Sequence, residues 1–136
     1  MELRFSRRTY LAMRALRELH AERNQLSGGD LAERIETTSP FLPQVLSPMI
    51  KAGWIESQTG PCGGYRLAVS LAELSLLEVV ETVEGPTETG ECVLREGPCP
   101  GTESCPVHEA WQSARSELKD RLAAVSALVS LERQAS

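Results

Sequence analysis

Apolar residues near the start of the chain recur at helical spacing. Between Ser6 and Glu22 they return every three or four positions, at Leu11, Ala12, Ala15, Leu16 and Leu19. This period places them on one face of an amphipathic helix. Ser27 stands three residues before Asp30 and predicts the cap of a short second helix that runs to Arg34.

A third helix is predicted to follow after a short turn. Ser39 and then Pro40 have the pattern of an N-cap followed by proline at the first helical position, and Gly53 marks the end. Pro48 lacks the N–H group that an interior position needs, so we expect it to kink or shorten this helix. Two short helices joined by such a turn indicate a helix-turn-helix. The apolar positions of the third helix are Phe41, Leu42, Val45, Leu46, Met49 and Ile50.

The period changes after Gly53 to two short strands joined by a glycine-rich turn. The strands are predicted at 54–57 and 65–69, and the turn at 59–64. Glycine readily adopts the positive φ angles that a tight hairpin requires. A hairpin directly after a helix-turn-helix indicates the wing of a winged helix.

Two more helices are predicted in the second half. Ser75 and Glu78 form a capping box that opens a helix ending at Gly85. Pro106 is expected to begin the last helix, whose apolar stripe is too long for a small core to cover. We therefore expect a second copy of the chain to cover the remainder. The stripe comprises Trp111, Ala114, Leu118, Leu122, Val125 and Val129.

Charge is distributed unevenly along the chain. The 136 residues carry a net charge of -5, but residues 1–66 hold 9 Lys+Arg against 7 Asp+Glu, whereas the remainder holds 5 against 12. Arg7 and Arg8 belong to a group of arginines in and around the first helix. Such a group suits contact with a phosphate backbone, and a solvated helix face is the alternative.

Three cysteines and a histidine form the only clear constellation of soft ligands. Cys92, Cys99, Cys105 and His108 read C-x6-C-x5-C-x2-H. The chain shows neither a signal-peptide pattern nor 18 consecutive apolar residues, so we expect a cytoplasmic protein, in which cysteines favour metal binding over disulfides. Thiolates suit zinc and iron–sulfur clusters alike, although the absence of a C-x2-4-C knuckle favours a cluster.

His108 is the candidate fourth ligand. It lies three residues after Cys105, about one helical turn further along, so both side chains can reach one site. A surface histidine in the first turn of a helix is the alternative interpretation.

Several short motifs run along nearly the whole chain in order. They are Ser39-Pro40-Phe41-Leu42, Gln44-Val45-Leu46, Lys51-Ala52-Gly53, Gly60-Pro61-Cys62-Gly63-Gly64-Tyr65, Leu76-Leu77-Glu78-Val79-Val80-Glu81 with Gly85, and the three spaced cysteines. Together they resemble the IscR/NsrR/RirA group of winged-helix iron–sulfur regulators, the Rrf-two family. The resemblance implies a homodimeric, sequence-specific transcription factor whose DNA affinity depends on its cluster.

The resemblance also bears on the type of cluster. IscR-type members hold a 2Fe–2S cluster with three cysteines and a histidine in this C-x2-H position, which His108 matches. NsrR-type members complete a 4Fe–4S cluster with an acidic residue from the first helix of the partner chain. That position is Tyr10 here, which favours 2Fe–2S.

Candidate DNA contacts lie in three places. Arg7 and Arg8 would contact phosphates. The start of the third helix, with Ser39, Pro40 and Gln44, would enter the major groove, where Gln44 can read an adenine edge. The wing would contribute Thr59, Gly60 and Tyr65, with Thr59 where many relatives have arginine. Cys62 replaces a glycine of the wing turn and is expected to be an exposed bystander or a redox-responsive thiol.

We therefore expect a mainly α fold with a small β wing. Residues 1–72 would form the winged helix-turn-helix DNA-binding region, and 73–136 a helix, a cluster-binding loop (86–106) and a long C-terminal dimerisation helix. The expected protein is a homodimeric regulator, not an enzyme and not membrane-bound. It would bind a roughly palindromic double-stranded DNA operator under control of an iron–sulfur cluster. A structural zinc-binding winged-helix regulator and a small iron–sulfur redox protein remain alternatives.

Overall fold

A computed structural model describes residues 1–134 of the chain. Within those residues the fold is six helices and one two-stranded antiparallel sheet, which confirms a mainly α fold with a β wing. Residues 135 and 136, the end of the predicted dimerisation helix, lie outside the described part. The elements are α1 (Arg7–Ala21), α2 (Gly28–Arg34), α3 (Leu42–Lys51), β1 (Ile55–Gln58), β2 (Gly64–Leu67), α4 (Leu76–Glu84), α5 (His108–Ala124) and α6 (Ala127–Gln134).

Helix α1 forms the centre of the core. Ser6 caps it, its side chain accepting a hydrogen bond from the backbone N–H of Thr9 at 3.2 Å. The predicted apolar face is buried, and α2, α3, α4, α6 and β2 all pack against this helix. The periodicity of α1 therefore predicted both the helix and the face on which the fold is built.

The start of α3 differs from the prediction. Residues 39–41 form a turn, in which the carbonyl of Thr38 accepts hydrogen bonds from the N–H groups of Phe41 and Leu42. The Thr38 hydroxyl accepts a further one from Phe41 at 3.3 Å. The α-helix itself begins at Leu42, after Phe41, without a side-chain cap, so Ser39 is not its N-cap and the proline in its first turn is Pro43 rather than Pro40.

Pro48 does not shorten α3, which continues to Lys51. The carbonyl of Pro48 still accepts a hydrogen bond from the N–H of Ala52 at 3.0 Å. What proline removes is the N–H directed at the carbonyl of Gln44, and Gln44 is solvent-exposed, so water can hydrate that carbonyl.

The wing is confirmed as an antiparallel hairpin. Strands β1 and β2 pair from Ile55 opposite Leu67 to Gln58 opposite Gly64. A second pairing anchors the wing to the α1–α2 connection, because Tyr65 and Leu26 exchange backbone hydrogen bonds of 2.7 and 3.0 Å. Gly64 lies so close to the Leu26 carbonyl that a Cβ would collide with it, which explains the glycine at this position.

The second half has one correction. The capping box of Ser75 and Glu78 and the end of α4 at Gly85 are confirmed, but a single last helix from Pro106 is wrong. Helix α5 begins at His108, and the chain is extended at Val125, whose carbonyl accepts the N–H of Leu76 at 2.8 Å. Helix α6 then returns to the core.

The gain in buried apolar surface explains this break. Ala127 and Leu131 of α6 are 1% and 2% exposed, and the N–H of Ala127 bonds the carbonyl of Leu74 at 2.7 Å. A continuous helix would carry these side chains away from the core. Helix α5, by contrast, has no buried residue among those described, and Trp111 and Leu118 remain exposed on it.

Within residues 1–134 no helix combines the length and the apolar character that crossing a bilayer requires.

Candidate metal centre

Three cysteine thiols converge in the segment that joins α4 to α5. The sulfur atoms of Cys92, Cys99 and Cys105 all lie within 4.8 Å of one another, and those of Cys92 and Cys105 are 3.8 Å apart. The fold thus brings together the three cysteines that the sequence named, although they lie seven and six positions apart in the chain.

A small hairpin brings Cys92 and Cys99 together. The N–H of Cys92 donates to the carbonyl of Gly97 at 3.0 Å, and the N–H of Cys99 donates to that of Gly90 at 2.9 Å. Gly90 and Gly97 have φ angles of 75° and 95°, which residues with a Cβ adopt reluctantly. The two glycines therefore allow the reversal that aligns the first two thiols.

Cys105 and His108 reach the site from the start of α5. The N–H of Cys105 donates to the carbonyl of Gly101, and the N–H of His108 donates to the carbonyl of Cys105. Cys105 is the most buried of the cysteines, at 5% exposed. The Nδ1 atom of His108 lies 3.1 Å from the sulfur of Cys99. The imidazole therefore contacts the thiol cluster at Cys99. Among the described residues, the donor atoms that all lie within 4.8 Å of one another are those of the three cysteines, so His108 as a ligand stays a prediction.

The thiols of Cys92 and Cys105 differ in acidity. A backbone hydrogen bond at Leu94 lowers the pKa of Cys92 below its ordinary value, helped by the neighbouring Cys105 thiol and against the effect of burial. At Cys105 a backbone hydrogen bond at Val107 acts in the same direction, but burial and the other two thiols outweigh it and raise the pKa. Cys92 is therefore the more acidic of the two.

The donor set fits a metal centre. A tetrahedral zinc ion with Zn–S bonds of about 2.3 Å has edges of about 3.8 Å between its sulfur ligands, close to the Cys92–Cys105 separation. Thiolates and imidazoles are also the protein ligands of iron–sulfur clusters. All four cysteines are free thiols, and the fourth, Cys62, is exposed in the wing and outside the cluster.

A cavity of about 190 Å³ lies beside the thiols. Cys99, Cys105 and His108 line one side of it, and Glu88, Trp111 and Arg115 contribute to the rest. Sequence reasoning named neither Arg115 nor Glu88 as part of the site. The available signal was spacing, since Arg115 follows His108 by seven residues and so lies on the same face of α5.

The predicted DNA contacts lie in three places, and all of these residues except Tyr65 are solvent-exposed. Arg7 and Arg8 are exposed at the start of α1, Ser39 and Pro40 in the turn before α3, and Gln44 on α3 itself. Thr59 and Gly60 are exposed at the tip of the wing, whereas Tyr65 is half-buried and packs against the core. Their role in binding DNA stays a prediction.

A family model and curated relatives place the chain in the same group of proteins. Residues 5–129 match the model of the Rrf2 family, described as "Iron-dependent Transcriptional regulator". The HTH-type transcriptional regulator IscR of Photorhabdus laumondii is 32% identical over 114 residues, which are 84% of this chain and 66% of that protein. IscR of Aliivibrio salmonicida is 32% identical over 79% of this chain and 64% of its own length. The chain thus spans just under two thirds of these relatives.

Solved structures agree on the fold. The structure of T. potens IscR aligns with a TM-score of 0.71 and 19% identity, covering 98% of this chain and 90% of that one. The structure of CymR, the global cysteine regulator of B. subtilis, aligns with a TM-score of 0.75 and 22% identity, over 97% of this chain and 98% of that one. The winged-helix fold and the family model both cover almost the whole chain, which therefore belongs to the Rrf2 (Rrf-two) family of transcriptional regulators.

Proposed function

We propose that this chain is a DNA-binding transcriptional regulator whose affinity for its operator depends on an iron–sulfur cluster held by Cys92, Cys99, Cys105 and His108. The observation that carries the proposal is the convergence of the three thiols, with His108 in contact with Cys99, in a chain that also folds as a winged helix. The family, described as iron-dependent transcriptional regulators, and the IscR relatives support both DNA-binding regulation and its dependence on iron.

The contacts among the donors favour a 2Fe–2S cluster within that proposal. They fall into two pairs, Cys92 with Cys105 at 3.8 Å and Cys99 with His108 at 3.1 Å. Two pairs of protein ligands are what a centre with two irons requires. When bound, such a centre supplies a redox-active group, and the one imidazole ligand raises its potential above that of an all-thiolate site.

The DNA-binding surface comprises the N-terminal ends of α1 and α3 and the tip of the wing. The exposed side chain of Gln44 can make a bidentate contact with an adenine in the major groove. In this proposal Arg7 and Arg8 neutralise phosphates, and the other candidate contacts are Ser39, Pro40, Thr59, Gly60 and Tyr65.

The apolar residues that α5 leaves in solvent support a homodimer. Trp111 and Leu118 are 38% and 50% exposed, and Val125 and Val129 continue the exposed set. A second copy can cover these side chains and place two α3 helices about one turn of DNA apart on a roughly palindromic operator.

A zinc-binding regulator is the second candidate, and one observation favours it. The three thiols lie within 4.8 Å of one another, which is compact enough for one tetrahedral ion. His108, in contact with Cys99, is the candidate fourth ligand. The DNA-binding surface and the dimer would be the same, but the metal would serve structure rather than redox sensing.

Anaerobic purification tests the proposal. We expect a coloured protein with iron and acid-labile sulfide in equal amounts, and a spectrum that changes in His108→Ala but not in His20→Ala. His20 is the other histidine of the chain and lies exposed at the end of α1, which makes it a matched control. A colourless protein with one zinc per chain and no sulfide would select the zinc candidate instead.

A further inference from the structure

Arg115 of α5 makes the most shielded ion pair beside the cluster loop. Its guanidinium donates to Glu88 Oε1 at 3.0 Å, and its side chain is only 17% exposed. Gln112, one turn earlier on α5, donates to the other carboxylate oxygen of Glu88 at 3.4 Å. Both oxygens of Glu88 are thus held by the helix that begins with His108.

Glu88 lies in a short segment of backbone that carries the position of Cys99. On one side of it, the N–H of Thr87 donates to the carboxylate of Glu81 on α4 at 2.6 Å. On the other side, two residues later, the carbonyl of Gly90 accepts the N–H of Cys99. The segment 87–90 is therefore fastened to α4 and α5 at one end and supports the thiol hairpin at the other.

His108 and Arg115 share one face of α5, because seven residues make about two helical turns. Both line the 190 Å³ cavity, together with Glu88 and Cys99. A contact between Glu88 and Arg115 thus fixes the distance between the hairpin that carries Cys99 and the helix that carries His108, which belong to different elements of the fold.

We propose that Arg115 is a positioning residue of the metal centre: by holding Glu88 it keeps the Cys99 hairpin against His108 and slows the opening of the ligand set. This rests on the proposed function for its biological role, but the ordering of the apo loop does not require a cluster. Residues that orient metal ligands from outside typically change metal affinity by about 10-fold to 100-fold when mutated.

Arg115→Gln removes the charge and keeps part of the polar side chain. Arg121→Gln is the matched control, since Arg121 pairs with Glu117 on the same helix at 2.8 Å but with both side chains exposed. Hydrogen exchange of the apo proteins measures the opening of residues 87–99. Titration with Co²⁺, whose thiolate complexes absorb visible light, measures metal affinity.

We expect Arg115→Gln to speed exchange at 87–99 and to weaken Co²⁺ binding by about 10-fold, while Arg121→Gln leaves both unchanged. Glu88→Gln should reproduce the effect from the loop side and serves if Arg115→Gln does not fold. Unchanged hydrogen exchange at residues 87–99 in both Arg115→Gln and Glu88→Gln would overturn the proposal. This holds even if Co²⁺ binding is weakened, because Arg115 would then affect the metal through its charge and not by positioning the loop. A wild-type chain that binds zinc but no cluster would end the proposed cluster control and leave this positioning role standing.

Discussion

The carboxylate of Glu84 accepts a 2.6 Å hydrogen bond from the hydroxyl of Thr9, which is fully buried. The same oxygen accepts the backbone N–H of Ser6, also at 2.6 Å. Glu84 is the last residue of α4, next to the segment that carries the cysteines, whereas Ser6 and Thr9 begin the helix that presents Arg7 and Arg8. One side chain thus ties the part of the fold next to the candidate metal site to the proposed DNA-binding part.

Glu84→Gln should destabilise the protein near neutral pH and much less in acid. Burial alone would raise the pKa of Glu84, but hydrogen bonds from Thr9 and Ser6 outweigh it and lower the pKa below its ordinary 4.5. A lowered pKa gives stability that is fully present above the unfolded-state pKa and is lost as pH falls through the folded-state value. Because Glu84 is solvent-exposed and the amide oxygen of glutamine can still accept both hydrogen bonds, we expect a loss below about 1 kcal/mol at pH 7.

Denaturant unfolding of wild type and Glu84→Gln between pH 3 and pH 7 checks this expectation. Glu73→Gln, at an exposed turn, is the control and should change little at any pH. An equal difference between wild type and Glu84→Gln across the whole range would show that the charge of Glu84 is not what the site stabilises.

Serine substitutions should separate the four cysteines into two classes. We expect Cys92→Ser, Cys99→Ser and Cys105→Ser each to lose most of the bound metal, because the sulfur atoms of these three residues lie together. Cys62→Ser should keep the metal, because the Cys62 thiol is exposed in the wing. Metal analysis after anaerobic purification gives the result. Loss of metal in Cys62→Ser would place a wing thiol in the ligand set.

Gly97→Ala should loosen the hairpin that aligns Cys92 and Cys99. Gly97 has a φ of 95°, where a Cβ costs on the order of 1–2 kcal/mol. Gly29→Ala provides the control, since Gly29 lies inside α2 with no atom within 4 Å of an added Cβ, and alanine should stabilise that helix by about 0.5–1 kcal/mol. Thermal unfolding and Co²⁺ titration of both variants measure the contrast. Equal metal affinity in Gly97→Ala and wild type would argue against the hairpin as the element that sets the site.

Leu118→Glu should weaken self-association. Leu118 is 50% exposed on α5, and a charge at its position would have to be buried in the proposed dimer. Ser116→Glu adds the same charge on the opposite side of α5 and should leave association unchanged. Analytical ultracentrifugation of the two variants measures their self-association. If Leu118→Glu associates as tightly as wild type, the dimer interface does not include Leu118.

The sequence predicted best what local chemistry decides. Periodicity located the buried face of α1, the Ser75–Glu78 box opened α4, and the glycine-rich turn formed the wing. It failed where distant residues compete. Val125 and Val129 continue a helical stripe and no Gly or Pro interrupts it, so only the backbone pairing with Leu74 and Leu76 reveals the break before α6.

The sequence named the residues of the candidate metal site but not the contacts that hold them. The spacing named Cys92, Cys99, Cys105 and His108, yet the hydrogen bonds through Gly90 and Gly97 and the contact between Glu88 and Arg115 depend on how α4 and α5 pack. These contacts join residues that lie too far apart in the chain for a local pattern to connect them.

The central claim is that the metal centre controls DNA binding, and operator affinity with and without the cluster tests it most directly. Duplexes selected from a random pool by the cluster-loaded protein can be titrated anaerobically with loaded protein, with apo protein and with Gln44→Ala. We expect loaded and apo affinities to differ by about 5-fold to 150-fold, the range of a coupling free energy of about 1–3 kcal/mol, and Gln44→Ala to bind more weakly in both states. Equal affinities of loaded and apo protein for the selected duplex would contradict the account.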